Sequence, residues 1–468
     1  MGGSPIQQKM FAELNDKTIF DRSQNCGYAY LLQAAERNVY PSEEALQNLQ
    51  VFAEDLSRNS TPSKDIIELL NKFGSPATVS QVGGRYFGFV NGSMVPAGLA
   101  ARLLADFWDQ NTAMQVISPI AAKLERVVEK WLQQIFGLSD NTVAGFVSGT
   151  STATFSGLAA ARYRILQKRG WDVNSRGLFG APRIRVVLGK QAHSTVLKAI
   201  GLLGFGKDHI EWVDTDEQGR IKPELIPELD NNTILILQGG NVNSGAFDPF
   251  EEICIKAKER DAWVHIDGAF GLWAGAVEEL KHLTKGMEKA DSWSVDGHKT
   301  LNTPYDSGII LCKDKEALVS ALHMTGAYII LGEERDGMFF TPEMSRRARI
   351  VELWATLKFL GQTGIGEMIW GMHQRALQFA EELGQNGFEI LNDVVFNQVL
   401  VFCETSELTK KTLKGIQDLR VCWCGGSQWQ GRDVIRISVC SWATTAKDVS
   451  LSVESFIKAR DLARAEIS

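Results

Sequence analysis

The sequence predicts an α/β protein: a large domain on a mainly parallel or mixed seven-stranded sheet, with a helical segment before it and a small α+β domain after it. Three observations predict this. Between Val143 and about Lys313, seven short β-rich runs alternate with amphipathic stretches, and the runs are apolar enough for strands covered on both faces. The chain ahead of them, from Pro96 to Phe136, repeats apolar residues at three- and four-residue steps. Beyond about Phe340 a long helical pattern leads into a tail with few strand-like runs.

Taken in order, residues 1–95 open with polar helical patterns such as Ser42-Glu-Glu-Ala-Leu-Gln-Asn-Leu and end in a glycine-rich passage, Gly83 to Gly92. Residues 96–340 hold the helical stretch and the strand-like runs Val143 to Val147, Ile184 to Leu188, Ile210 to Val213, Thr233 to Leu237, Trp263 to Ile266, Ser292 to Val295 and Ile309 to Leu311. Residues 341–468 begin with a helix expected over Arg346 to Gly361 and carry strands near Val399 to Cys403 and Val434 to Val439. At 468 residues, more than one domain is expected, since domains average roughly 150.

Composition narrows the function. Hydrophobic residues make up 44% and charged residues 22%, the mix of a folded globular chain rather than a disordered one. Lysine and arginine number 49 against 56 acidic residues, a net charge of −7, so no nucleic-acid partner is expected. No apolar run approaches the roughly 18 residues of a membrane span. Met1-Gly-Gly-Ser-Pro-Ile-Gln-Gln has neither the basic nor the apolar part of a secretory leader. The seven cysteines are odd in number and scattered among apolar runs, which predicts reduced, packed thiols in a cytoplasmic protein. Cys422 and Cys424 form the one close pair, with no clustered histidine to complete a zinc site, so no metal is expected.

Open α/β sheets bind ligands at the carboxyl ends of their strands, and four motifs lie at such ends. In Val147-Ser-Gly-Thr-Ser-Thr-Ala-Thr154 a strand runs into an amphipathic helix. Small hydroxylated residues there leave N–H groups and the positive end of a helix dipole open to an anion. The same residues also read as an ordinary N-cap. Asp267 ends an apolar run, where a carboxylate either meets a cation or a protonated heterocyclic nitrogen, or caps the turn at Gly268. Lys299 follows another strand-like run just past Gly297. A lysine partly desolvated in a pocket is a Schiff-base nucleophile, whereas in an open loop it is inert. His193, after the run ending at Leu188, either stacks on a flat cofactor or serves as a cap.

Gly149-Thr-Ser, Gln191-Ala-His193-Ser, His265-Ile-Asp267-Gly-Ala and Asp296-Gly-His298-Lys299 stand in the order, and at about the spacing, of the group II pyridoxal-phosphate-dependent amino-acid decarboxylases. The sequence resembles that family over most of its length, with further matches at Ser118-Pro-Ile, Glu125, Trp131, Phe247-Asp-Pro249 and Arg436. The resemblance implies fold type I, the fold of pyridoxal-phosphate-dependent transferases, with an N-terminal helical arm and a homodimer whose active sites lie at the interface. Pyridoxal 5′-phosphate is the implied cofactor. Lys299 would hold it as an internal aldimine, Asp267 would pair with its ring nitrogen, and His193 would stack on the ring. Gly149 and Thr150 would take the phosphate, with Ser294 and His298 nearby.

The implied reaction converts an L-amino acid to its amine and CO₂ through internal aldimine, external aldimine and quinonoid. Arg436 would grip the substrate carboxylate, and Tyr328 would return a proton after CO₂ leaves. Asn91 and Asn243 suit a polar substrate side chain, while Phe87, Phe89 and Trp108 suit a ring or simple packing. Decarboxylation-coupled deamination to an aldehyde, transamination, aldol-type cleavage and non-catalytic cofactor binding stand as alternatives. Two departures from the family bear on the site. Gly240-Asn-Val-Asn-Ser-Gly245 replaces a Gly-Thr-Thr, and Asp296 puts a carboxylate where an amide would face the phosphate.

Overall fold

A computed structural model describes residues 3–323 and 335–467. Its large sheet has seven strands: β1 (Val143–Val147), β2 (Arg185–Gly189), β3 (Ile210–Val213), β4 (Thr233–Gln238), β5 (Trp263–Asp267), β6 (Ser292–Asp296) and β7 (Gly308–Cys312). They lie in the order β1-β7-β6-β5-β4-β2-β3, and only β7 runs against its neighbours. The fold is type I, as expected.

The apolar runs read as they do because both faces of the sheet are covered. Successive side chains of a strand point to opposite faces. Val143, Val147, Ile234, Ile236 and Ile310 accordingly join one core, and Ala144, Phe146, Leu235, Leu237 and Ile309 join the other. The first core is roofed by the helices Thr150–Lys168, Ser194–Leu202 and Lys315–Leu322. The second is closed by Pro119–Phe136, Phe250–Glu259 and the start of Ile350–Gln385.

On the first face the apolar rule is broken along one strip. His265 of β5 and Ser292 and Ser294 of β6 are fully buried there. Trp263 Nε1 donates to Ser292 Oγ at 3.0 Å, and Ser292 Oγ lies 2.8 Å from His265 Nδ1. His265 Nε2 is 3.3 Å from Ser294 Oγ, which is 2.9 Å from Thr154 Oγ1. The indole can only donate, so the Ser292 hydroxyl oxygen accepts from it, and each ring nitrogen of His265 faces a serine hydroxyl. Burial pushes this imidazole down to about 3, so it stays neutral.

The smaller sheet holds β8 (Glu389–Ile390), β9 (Gln398–Phe402), β10 (Gly425–Trp429) and β11 (Arg432–Ser438), antiparallel in the order β10-β11-β9-β8. The sequence patterning marks β9 and β11 and misses the other two. The long helix also differs from expectation: it starts at Ile350, passes through a kink at Gly361 (φ 59°) and ends at Gln385. Glycine adopts that left-handed φ without strain, so the helical pattern resumes beyond its expected end at Gly361. Residues 85–87 are stitched onto this small sheet, Phe87 N–H donating to Trp423 O at 2.7 Å and Ser438 N–H to Phe87 O at 3.0 Å. Cys422 and Cys424 are buried in its core. Among the described residues, no helix is long and apolar enough to cross a membrane.

Gly157 brings the roofing helix down onto the polar strip. A Cβ there would stand 2.8 Å from His265 Cε1 and Nδ1 and 2.9 Å from Ile310 Cδ1. Gly157→Ala should therefore lower stability by about 1–3 kcal/mol through overpacking, read as a drop in Tm. An unchanged Tm would mean that the helix and sheet are free to separate there.

Candidate active site

The site forms where strand ends meet the start of a helix. Gly308, the first residue of β7, is in register with Val147 on one side and Asp296 on the other. A side chain at Gly308 would collide with the backbone of Gly149, so the pair of glycines lets the helix Thr150–Lys168 begin against the sheet edge. Thr150 N–H donates to Asp296 Oδ1 at 2.7 Å. The Thr150 hydroxyl is buried with no partner among the described residues. At the positive end of a 19-residue helix, an unsatisfied buried donor marks an anion site.

Asp267 closes β5 at 5% exposure. Its hydrogen bond among the described residues is a long one, accepted from Ala269 N–H at 3.3 Å. Burial pushes this carboxyl up from its ordinary value, while His193 and Lys299 pull the other way. A carboxylate so poorly compensated has room for a protonated ring nitrogen.

His193 realises the cap among its sequence readings. It caps the helix Ser194–Leu202, its Nδ1 accepting from Thr195 N–H at 3.3 Å and from the Thr195 hydroxyl at 2.8 Å. With Nδ1 accepting, the neutral ring carries its proton on Nε2. Burial holds the imidazole below its ordinary value, opposed by Asp267 and reinforced by Lys299 and Arg436.

Lys299 Nζ lies 3.1 Å from Asp296 Oδ2, and His298 Nε2 lies 3.6 Å from the same oxygen. Ser307 N–H donates to His298 Nδ1 at 3.0 Å, and burial keeps this ring too below its ordinary value. Its proton is thus on Nε2, on the side of Asp296. Tyr305 stacks on His298 at 4.3 Å and donates its hydroxyl to Asn91 Oδ1 at 3.2 Å.

Behind the lysine, the buried Asn302 ties three segments together. Its Oδ1 accepts from the N–H groups of Ser93 and Trp442, at 3.1 and 3.0 Å. Its Nδ2 donates to the carbonyls of Lys299, Thr300 and Cys440, at 3.0, 3.0 and 2.9 Å. Arg436 stands on β11, with Nη1 donating to Val242 O at 3.3 Å and Nε buried without a partner among the described residues.

Several expected residues are engaged elsewhere. The Ser294 hydroxyl points under the roofing helix, into the Thr154 and His265 network, rather than into the open site. Asn243 faces the small sheet, its Oδ1 accepting from Ser427 Oγ at 2.7 Å. Phe87 is core, edge-on to Phe379. Phe89 is exposed and stacks on Trp423, and Trp108 is half-exposed at the end of the helix Pro96–Trp108. Tyr328 lies outside the described residues. The patterning missed Thr154, Asn302 and Tyr305. Thr154 alone left a signal, one helical turn after Thr150 and so on the same face.

An amine, an uncompensated carboxylate, an imidazole and a helix start with a spare hydroxyl fit pyridoxal phosphate. Lys299 would hold its aldehyde, Asp267 its ring nitrogen, His193 its ring, and Gly149, Thr150 and His298 its phosphate. The electrostatics give a test without the cofactor. Asp267 favours the imidazolium of His193, so Asp267→Asn removes that help. The His193 titration, followed by NMR in ligand-free protein, should start below about 6.5 and fall further in the variant. A rise would break the assigned pairing.

A family model described as the pyridoxal-dependent decarboxylase conserved domain matches residues 54–403. The aromatic-L-amino-acid decarboxylase of Bacillus atrophaeus is 26% identical over 434 residues, 87% of each chain. The cysteine sulfinic acid decarboxylase of Homo sapiens is 26% identical over 333 residues, 67% of this chain and 66% of that relative. The crystal structure of Oryza sativa TDC with PLP and tryptamine superimposes with a TM-score of 0.85 at 21% identity, covering 99% of each chain. With the site geometry and a family match over most of its length, the chain belongs to the pyridoxal-dependent decarboxylases, lyases whose cofactor is pyridoxal 5′-phosphate.

Proposed function

We propose that this enzyme removes the α-carboxylate of an L-amino acid as CO₂ and releases the corresponding amine. The observation that carries the reading is that Lys299, Asp267 and His193 lie at or just beyond the ends of β6, β5 and β2, and that Arg436 reaches from β11 to Val242 O, just beyond the end of β4, at 3.3 Å. When bound, pyridoxal phosphate supplies an electrophilic aldehyde and a ring that withdraws the electrons of the breaking bond. Asp267 keeps a proton on the ring nitrogen, which preserves that withdrawing power. His193 stays neutral and holds the ring plane without adding charge. Arg436, with an unused Nε donor, takes the substrate carboxylate and orients its bond to Cα.

The substrate side chain is assigned to the space beside Asn91, since Asn243 is taken up by Ser427. Tyr305 shares the Asn91 carbonyl oxygen, which leaves the Asn91 amide hydrogens for a substrate acceptor. The relatives named for aromatic and for sulfinic-acid substrates are both 26% identical, over 87% and 67% of this chain, so identity alone does not separate the two side-chain classes. Mass spectrometry of purified, cofactor-loaded protein with all common L-amino acids should show one or two new amines, and none from Lys299→Ala, which should also lose the visible absorbance of bound cofactor. Aldehydes or keto acids as the products would overturn decarboxylation as the reaction.

The same reading includes a cytoplasmic homodimer. All seven cysteines are free and six are buried, which supports a reducing compartment. The helices Pro5–Leu14 and Lys17–Gln33 bury no residue, and Leu103, Leu104, Phe107 and Ile120 are exposed nearby, an apolar surface suited to a second copy. Sedimentation should give twice the chain mass, and Phe107→Glu should reduce it to one. A wild-type monomer at micromolar concentration would refute the dimer, and export of a tagged chain would refute the compartment.

A further inference from the structure

The anion site at the start of the helix Thr150–Lys168 already holds an anion of the protein's own. We propose that Asp296 is a built-in competitor for the cofactor's phosphate, which fills the phosphate site until the cofactor arrives. This rests on the pyridoxal phosphate assignment and goes beyond it.

Asp296 is 2% exposed and reaches the site from the end of β6. Its Oδ1 takes the Thr150 N–H at 2.7 Å, the helix-opening donor that a phosphate oxygen needs. Its Oδ2 lies 3.1 Å from Lys299 Nζ and 3.6 Å from His298 Nε2, so it also faces the nearby positive charge and the proton-bearing side of the imidazole. A Cβ on Gly149 would come within 3.6 Å of Oδ1, which places this carboxylate against the cradle floor. An ionised carboxylate only accepts hydrogen bonds, whereas an amide of the same shape would donate one to an incoming anion. The carboxylate therefore occupies the Thr150 N–H, offers no donor of its own and adds a like charge. The buried Thr150 hydroxyl, which Asp296 does not use, shows that the cradle is larger than its present occupant requires.

Phosphate enters such a site only if Asp296 releases Thr150 N–H. The cofactor is then held less tightly than the cradle allows, and the energetic contribution of its phosphate is where the loss falls. Pyridoxal, which lacks the phosphate, isolates that contribution. Binding of pyridoxal 5′-phosphate and of pyridoxal to cofactor-stripped protein is measured by absorbance titration, for wild type and Asp296→Asn. The variant should bind pyridoxal 5′-phosphate about ten- to a hundredfold more tightly, the worth of one hydrogen bond to a charged group, and pyridoxal within about threefold of wild type. An unchanged or weaker affinity for the phosphorylated ligand would overturn the proposal. So would an equal gain for both ligands, which would place the effect at Lys299 or the ring. Failure of wild type to bind either ligand would instead overturn the cofactor assignment, and the proposal with it. If the variant does not fold, wild type decides alone. A phosphate that tightens binding by less than about a hundredfold over pyridoxal supports a plugged cradle, and a larger gain refutes it.

Discussion

A carboxylate buried at the carboxyl edge of a sheet, with no ion pair of its own among the described residues, is the constraint on which the site depends. Asp267 ends β5, the central strand of the seven, in register with Gln238 of β4 and Ser294 of β6. Such a group is costly to bury, and it is held in place by a strand rather than a loop, so it cannot turn out to solvent for relief. Binding a ring that can carry a proton on its nitrogen is the relief the fold offers. Ring protonation and Asp267 ionisation then favour each other. On the proposed reading, the weakness of Asp267's own hydrogen bonding is what would preserve the cofactor's electronic character, because a carboxylate already satisfied by an arginine would have little left to offer the ring.

Two aspartates on adjacent strands and on the same face are assigned to opposite ends of the proposed site because their surroundings differ. Asp267 has one long hydrogen bond from Ala269, while Asp296 has the Thr150 N–H and the Lys299 ammonium. The polar strip of His265, Ser292, Ser294 and Thr154 runs beneath both. Its members satisfy one another, so they compete with neither aspartate for donors. A buried polar network adjoining a reactive site is tolerable only when it is closed in this way.

Much of this was legible in the sequence. The seven strands could be read because burial on both faces leaves unbroken apolar runs, and the site motifs could be read because the chemistry sits where those runs stop. The strands that went unread, Glu389–Ile390 and Gly425–Trp429, form the two margins of the small sheet; β10 is mostly glycine and polar residues held by backbone pairing, which leaves no periodicity. The directions of Ser294 and Asn243 were also hidden, since each is set by a partner distant in sequence, Thr154 and Ser427. The same holds for Glu125. Its match to the family was visible, but not its reason: it lies buried between Arg335 at 2.8 Å and Arg346 at 2.7 Å, two arginines more than two hundred residues further on. Ion pairs across such separations leave no trace in local pattern.

Asn302 is the clearest case of a residue with no local signal and a central position. Its backbone sits at φ 57°, a left-handed conformation that asparagine tolerates better than most residues. Its amide meets five backbone groups drawn from the lysine loop, the segment after Gly92 and the chain just beyond β11. Gly92 N–H and Val95 N–H add bonds to the carbonyls of His298 and Asn302 themselves. Lys299 is therefore not carried by the large sheet alone. Its carbonyl is fixed to an amide that also fixes the segment bearing Asn91 and the segment following Arg436. A displacement of the small sheet, with the arginine assigned to the substrate carboxylate, would have to break bonds at the same side chain that positions the lysine. The amine and the assigned carboxylate-binding group are kept in step by a residue that need not touch substrate or cofactor.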